Sequence, residues 1–278
     1  MSDRLEARVD ALFIYPIKAC GAMGVAQLDI TPAGLIAGDR EWAVVDEKNE
    51  VTWQGAHPRL ALVRPTLHGN RLQLSVPGGA VIEVPVADAN APCTVRMWND
   101  SVKEMETFDA FDAGDAAALL LRRVTGAPLR LVQLGAQALA RRGINPLHLV
   151  SVPSLGELNA QLASEGLAEA EALRFRPNLV LGATAEPLLP FIEEQVTRVS
   201  GGADGGAWQM PVSAPCIRCV VPGVSPSSGE PSEALPLAVA HLSGQRFPGG
   251  PSVFGVYAMP IPGTQIHSGD RLWLELNF

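Results

Sequence analysis

Over roughly its first hundred residues the chain alternates short apolar runs with turn residues, at intervals too brief for helices. No other feature constrains the fold as much. Val9, Ala11 and Phe13 alternate as the inward residues of a first strand. Further strands are expected over Gln27–Ile30, Glu41–Asp46, Leu60–Leu67, Arg71–Val76, Val81–Val84 and Thr94–Trp98. Between them stand Pro32-Ala33-Gly34, Glu47-Lys48-Asn49, His68-Gly69-Asn70 and Pro77-Gly78-Gly79, residues that supply turns. Many short strands at this spacing predict a barrel or sandwich.

From Asp112 the period becomes helical. Asp112 is expected to cap a helix running to Val124 and ended by Gly126, with Ala117, Leu120, Leu121 and Val124 on its apolar face. A strand is expected over Leu129–Leu134. A second helix should open on the capping box Ser154-x-x-Glu157, and a short third should cover Leu188–Val196. The remaining strands are expected at Asn178–Leu181, Trp208–Val212, Arg218–Val221, Val253–Met259 and Leu272–Leu276. Ser200–Gly206 and the Pro- and Ser-rich Gly223–Leu235 read as loops, the second placed to wall a pocket. The expected class is α+β and β-rich, with one β-rich domain over residues 1–128 and a second, carrying a few helices, over 129–278.

Of the 278 residues 47% are hydrophobic and 18% charged, enough apolar surface for a sizeable core. A formal charge of −8 argues against nucleic acid or an anionic membrane as partner, since both select basic surfaces. The run Ala11–Ile17 is short and follows acidic residues, so it reads as a strand and not a signal peptide. No stretch reaches the roughly 18 apolar residues of a membrane helix. Four cysteines make no disulfide framework and fit a reducing compartment, so a cytoplasmic protein is expected.

Two of those cysteines lie in Pro215-Cys216-Ile217-Arg218-Cys219. Thiolate is the soft ligand that transition metals select, and a neighbouring guanidinium favours the thiolate. Cys20 and Cys93 lie elsewhere, and no second CxxC or HxxxH completes a zinc site. The motif therefore suggests a single-thiolate metal site or a redox dithiol. Cys216 and Cys20 are expected to pack. The five histidines show no ligand spacing, and His148 is expected to be a satisfied strand residue. Three more stretches place cations at strand ends, where pockets form: Tyr15-Pro16-Ile17-Lys18-Ala19-Cys20, Gly38-Asp39-Arg40-Glu41-Trp42 and Phe175-Arg176-Pro177-Asn178.

In this order, and with Asn145–Ser151, Val253–Pro260 and Ile266-x-x-Gly269-Asp270-x-Leu272, these stretches resemble the MOSC family in its form with an N-terminal MOSC-associated domain. The resemblance spans nearly the whole chain. It implies an N-terminal β-rich domain packed on a C-terminal MOSC β-barrel, and a bound molybdenum cofactor (Mo-molybdopterin). By the same resemblance Cys219 is the metal ligand and the catalytic residue. Lys18, Arg40 and Arg176 would contact the cofactor's phosphate and pterin, with Asn178 and Tyr257 beside them. Ile144 and Asn145 match a loop whose backbone binds the cofactor. Ala19 stands where many members carry serine, which leaves a backbone contact. Arg218 would support the thiolate, and Ile217 occupies a slot that is serine in the family's amidoxime reducers. The implied activity is reduction of small N-hydroxylated substrates. The chain has neither iron–sulfur spacing nor a flavin fingerprint, so electrons would come from a separate reductase. The alternative is a sulfur carrier or cofactor carrier, related to the C-terminal domains of molybdenum cofactor sulfurases.

Overall fold

The computed structural model describes residues 4–69, 71–79, 81–85, 91–99, 102–141, 147–202 and 204–277. The first half runs β1 (Arg4–Ile14), β2 (Met23–Val25), β3 (Gln27–Asp29), β4 (Trp42–Val45), β5 (Arg64–His68), β6 (Arg71–Ser75), β7 (Ile82–Pro85), β8 (Pro92–Asn99) and β9 (Glu104–Asp112), then α1 (Asp115–Thr125). There follow β10 (Arg130–Leu134), α2 (Ala136–Leu139), β11 (Leu147–Ser151), α3 (Val152–Ser164), β12 (Leu179–Ala183), β13 (Val196–Gly201) and β14 (Trp208–Ile217). The last elements are α4 (Ala234–Arg246), β15 (Val253–Ala258), β16 (Gln265–His267) and β17 (Arg271–Leu276).

Seven strands close a barrel in the order β1-β12-β11-β15-β14-β13-β17 and back to β1. Closure depends on the length of β1. Arg4–Arg8 pair with β17, Ala7–Leu12 pair with β12, and Leu12–Ile14 hold the short β2. A sheet closed in this way leaves no edge open to other chains. The inward residues of β1 are Ala7, Val9, Leu12 and Ile14, which join Leu149, Leu181, Val199, Met210, Leu272 and Leu274 in the barrel core. The expected alternation through Ala11 and Phe13 is therefore broken. A bulge between Val9 and Ala11 adds one residue, and one residue reverses the faces. Ala11 and Phe13 instead meet the outer layer, where α3 and α4 cover Phe175 and Phe254.

The first half otherwise forms a four-stranded antiparallel sheet, β4-β10-β9-β8, and a three-stranded sheet, β5-β6-β7. All four residues of β4 are buried. Trp42 and Val44 face a core shared with α1, whereas Ala43 and Val45 face Val95, Met97 and Val132. The two halves of the sequence interlock, because β1 is a barrel strand while β10 pairs with β4 and β9.

Several local expectations shift. Leu60–Leu67 is a 3-10 turn over Pro58–Leu62 followed by β5, because Pro58 sets the first helical φ. The cap of α1 is Gly114, and Asp112 ends β9 while accepting from the Gly114 N–H at 2.7 Å. The cap of α3 is Ser151, not Ser154. Its hydroxyl accepts from the Ser154 N–H at 3.2 Å. Leu188–Val196 holds only a 3-10 turn, Ile192–Gln195. Arg218–Val221 is not a strand: β14 ends at Ile217, and Pro222 sits inside a 3-10 turn over Val221–Gly223. No helix among the described residues is long and apolar enough to cross a membrane.

One bulge shapes the site directly. Pro215 pairs with Val256 and Ile217 with Val253, so Phe254 and Gly255 together oppose Cys216. Gly255 has φ +74°, and a Cβ there would lie 2.4 Å from the Leu149 carbonyl oxygen and 2.8 Å from His148 Nε2. Gly255→Ala is expected to cost about 2–4 kcal/mol, combining left-handed strain with a backbone clash. Urea denaturation measures it, and a loss under about 0.5 kcal/mol, the ordinary scatter of harmless substitutions, would refute the reading.

Candidate functional site

Where the barrel meets the four-stranded sheet, Tyr15–Lys18 run beside Arg40–Trp42. The Arg40 N–H donates to Tyr15 O at 2.8 Å, the Trp42 N–H to Pro16 O at 3.0 Å and the Lys18 N–H to Trp42 O at 2.8 Å. A cavity of about 340 Å³ opens at this junction. Lys18, Ala19 and Arg40 form one wall, and Arg174, Phe175 and Arg176 a second. The end of β14 and the residues after it, Cys216 to Cys219, form a third, with His148, Tyr257, Trp53 and Gln54 completing the lining. Ala19, Arg40 and Arg176 all have positive φ (71°, 55° and 56°), three of the six non-glycine residues with positive φ among the described residues. Such conformations cost of order 1 kcal/mol each and concentrate where surrounding structure over-determines a functional site.

Five cations line the cavity: Lys18, Arg40, Arg174, Arg176 and Arg218. The buried Asp39 pairs with Arg40 and also accepts from the Tyr15 N–H at 2.7 Å. Burial opposes the Arg40 charge, but Asp39 outweighs it and the pKa moves up. Tyr15 is buried between two guanidinium groups, with Arg176 Cζ 4.1 Å and Arg40 Cζ 5.1 Å from its ring centroid. Burial raises the Tyr15 pKa, so it is a neutral phenol, donating to Pro177 O at 3.2 Å.

The other two motif arginines, Arg176 and Arg218, differ in what remains open to a ligand. Arg218 donates from Nε to Phe254 O at 2.9 Å and from Nη1 to Phe175 O at 3.1 Å, and its Nη2 meets Phe254 O and His148 Nε2. Its fork is thus committed to the protein. Arg176 donates from Nη1 to Cys20 O at 2.5 Å, but its Nη2 is buried with no partner among the described residues. Burial brings Arg176 down to about 10, which leaves it charged at neutral pH. His148 is held neutral, chiefly by burial and then by the Arg218 charge. Its Nδ1 lies 3.3 Å from Arg176 O, so Nδ1 carries the proton and Nε2 accepts from Arg218.

The two thiols of the CxxC are not equivalent. Cys216 is buried, its Sγ is 2.8 Å from the Tyr257 hydroxyl oxygen, and burial raises both pKa values. Cys219 is exposed on the cavity wall. Among the described residues no three His, Cys, Asp or Glu side chains gather around one point. Cys219 is thus the exposed thiol of the pair.

Lys18, Ala19, Arg40, Arg176, Ile217, Arg218, Cys219 and Tyr257 thus meet on one cavity. Asn178 does not join them. It is fully buried, its Oδ1 accepts from the His148 N–H at 3.3 Å and its Nδ2 donates to Phe13 O at 3.1 Å. Both ends of the amide bind backbone, so its work is to fasten β1, β11 and β12 together. Ile144 and Asn145 lie outside the described residues. Tyr15, Trp53, Gln54 and Arg174 were not expected to line a site, and for Cys216 and His148 packing was the favoured role. Tyr15 stands first in the motif Tyr15–Cys20 and Arg174 two positions before Arg176, whereas Trp53 and Gln54 carry no such signal.

Residues 6–128 match the model of the MOSC N-terminal beta barrel domain, and residues 123–273 match the MOSC domain. The chain belongs to the MOSC family. Like its sequence motifs, its closed β-barrel and β-rich first half agree with that membership. Human mitochondrial amidoxime-reducing component 1 is 26% identical over 96% of this MOSC chain and 82% of its own length. Rat mitochondrial amidoxime reducing component 2 is 28% identical over 82% of this chain and 71% of its own. The molybdenum cofactor sulfurase of Drosophila grimshawi is 28% identical over 98% of this chain, which spans only 35% of that protein.

Proposed function

We propose that the cavity binds a molybdenum–molybdopterin cofactor through Cys219, and that the protein reduces N-hydroxylated small molecules with electrons from a separate reductase. The observation that carries this reading is the buried, unpartnered Nη2 of Arg176 in a cavity with four other cations. An unsatisfied buried donor costs about 1–3 kcal/mol, and more when charged. A phosphate or an anionic pterin edge supplies the missing acceptor. The donor set fits such a group. Arg40 and Arg176 offer forks, Lys18 a point charge, and Cys219 a soft ligand.

Bound there, the cofactor would supply a two-electron couple that the side chains lack. Arg40 and Arg176, fixed against Tyr15, orient an anion without rearranging. Arg218 and His148 hold the backbone of Phe175, Arg176 and Phe254, and so place the Cys216–Cys219 segment. Tyr257 keeps its proton at neutral pH and presents an O–H beside the thiols. Exposed Trp53 and Ile217 give the mouth an apolar rim for an organic substrate. The net charge of −8 suits a basic electron-donor protein.

The test is molybdenum and pterin content of anaerobically purified protein, followed by benzamidoxime reduction with a supplied electron donor. Near-stoichiometric metal and pterin with turnover are expected, and protein lacking both refutes the proposal. The exposure of Cys219 favours one second reading, a sulfur carrier in which this thiol holds a persulfide. Cyanide-labile sulfur on Cys219 in metal-free protein would establish that reading instead.

A further inference from the structure

A second cavity, of about 180 Å³, adjoins the first and shares Gln54, Arg174 and Arg176 with it. Its other walls are Gly21 and Ala22 after the first strand, Ala61 before β5 and Arg64 at its start, and Val224, Pro226 and Ser227. The Pro- and Ser-rich loop thus helps to wall this cavity. Three guanidinium groups face a single carboxylate, Glu171. The Arg64 side chain makes no hydrogen bond or ion pair among the described residues. Arg174 donates only from Nη1, to Pro222 O and Gly223 O at 3.3 Å each, and burial lowers its pKa. Beside them lies Arg176, whose Nη2 is assigned to the cofactor and which adds its charge to this wall. The three guanidinium groups repel one another, and half-buried Arg174 and Arg176 have little water to offset that, so an anion between them would stabilise the cluster.

We infer that this cavity is a second anion site, which takes a phosphoryl or carboxylate group other than the cofactor's own phosphate. Guanidinium forks match both groups bidentately. Arg174 and Arg176 stand between the two cavities, so the anion belongs to a molecule that reaches from one to the other. Two molecules have that reach: a cofactor extended by a nucleotide, and a substrate carrying an anionic group at a distance from its reacting nitrogen.

The site is tested apart from any molybdenum chemistry by calorimetric titration of the full chain with inorganic pyrophosphate. Wild type, Arg64→Gln, Arg64→Gln/Arg174→Gln and Lys18→Gln are compared. The double variant should weaken by at least tenfold a binding component that Lys18→Gln leaves intact. Arg64→Gln alone, whose side chain supports nothing else in the fold, should weaken the same component several-fold. Identical isotherms for wild type and Arg64→Gln overturn the inference even if the double variant fails to fold. The source is then read from cofactor-loaded protein. Two phosphates per pterin place the anion on the cofactor. One phosphate per pterin, with KM for a carboxylate-bearing N-hydroxylated substrate raised at least fivefold by Arg64→Gln and KM for benzamidoxime unchanged, places it on the substrate. One phosphate per pterin with pterin occupancy lost in the double variant means that the cavity houses the cofactor's own phosphate, which overturns the inference. One phosphate per pterin with neither occupancy nor KM altered overturns it as well.

Discussion

Cys219→Ser is expected to abolish reductase activity and to alter the molybdenum signal while the fold and the pterin stay in place. The thiol is exposed and belongs to no hydrophobic cluster, so its replacement opens no cavity in the core. Pterin retention follows from Lys18, Arg40 and Arg176, none of which depends on this sulfur for its position. A hydroxyl is a hard, weakly acidic donor where the metal calls for a soft thiolate. Partners one shell removed from a metal are already worth about 10–100-fold, so loss of a direct ligand should exceed 100-fold in kcat. Cys216→Ser is the control. Serine there still reaches toward Tyr257 and leaves Cys219 untouched, and less than about tenfold loss is expected. Molybdenum-to-pterin ratio, electron paramagnetic resonance of the reduced protein and amidoxime turnover are the measurements. Full turnover with an unaltered resonance in Cys219→Ser would remove the sulfur from the metal altogether.

What could be read from the chain alone was local. Lys18, Arg40, Arg176 and Cys219 sit in short motifs next to strand ends, and the motifs converge because Tyr15–Lys18 bond to Arg40–Trp42 and Arg218 bonds to the backbone of Phe175 and Phe254. The pairings that bring them together were not legible. β1 closes the barrel by pairing with β17, at the opposite end of the sequence, and periodicity carries no information about such partners. The bulge at Val9–Ala11 reversed half of a strand whose alternation looked unbroken. Helix α4 was hidden for a different reason. Leu235, Ala238, Val239 and Leu242 have helical spacing and are buried, but Pro236 and the loop before it read as irregular chain. Proline is tolerated there because it lies in the first helical turn, where N–H groups have no intrahelical acceptor. Asn178 shows the limit of residue type: an amide beside a cationic motif suggests a ligand donor, and the chain alone does not show that its two ends bind the backbone of β1 and β11.

A large stability effect is expected far from the cavity, at Glu193. This residue is fully buried. Its Oε2 accepts from the Ser151 and Ser154 hydroxyls at 2.8 Å each, and its Oε1 from the Ser151 N–H at 3.2 Å. Ser154 Oγ in turn accepts from the Phe191 N–H at 2.6 Å. One carboxyl therefore ties the start of α3 to the turn ahead of β13, directly behind β11 and His148. Glu193→Ala leaves an N–H and two hydroxyls without their acceptor in a dry interior. Each such group costs about 1–3 kcal/mol, and because the hydroxyls of Ser151 and Ser154, 2.7 Å apart, can partly satisfy each other, the expected loss is about 2–4 kcal/mol. Burial raises the Glu193 pKa above its ordinary value, the serine contacts offsetting only part of the effect. The sign follows by linkage. Below the unfolded carboxyl pKa, about 4.3, both states are protonated and the group's contribution is fully present. As pH rises through the elevated folded pKa, the chain must ionise a buried carboxyl to keep its fold, and that contribution declines. Glu193→Gln keeps the shape and most of the hydrogen bonds but cannot titrate. Wild type should therefore gain stability relative to Glu193→Gln as pH falls from neutral toward 4, measured by urea denaturation at each pH. A difference between the two proteins that stays flat, or that grows in the opposite direction, would mean that Glu193 is ionised without penalty and that the serine network, rather than burial, sets its charge.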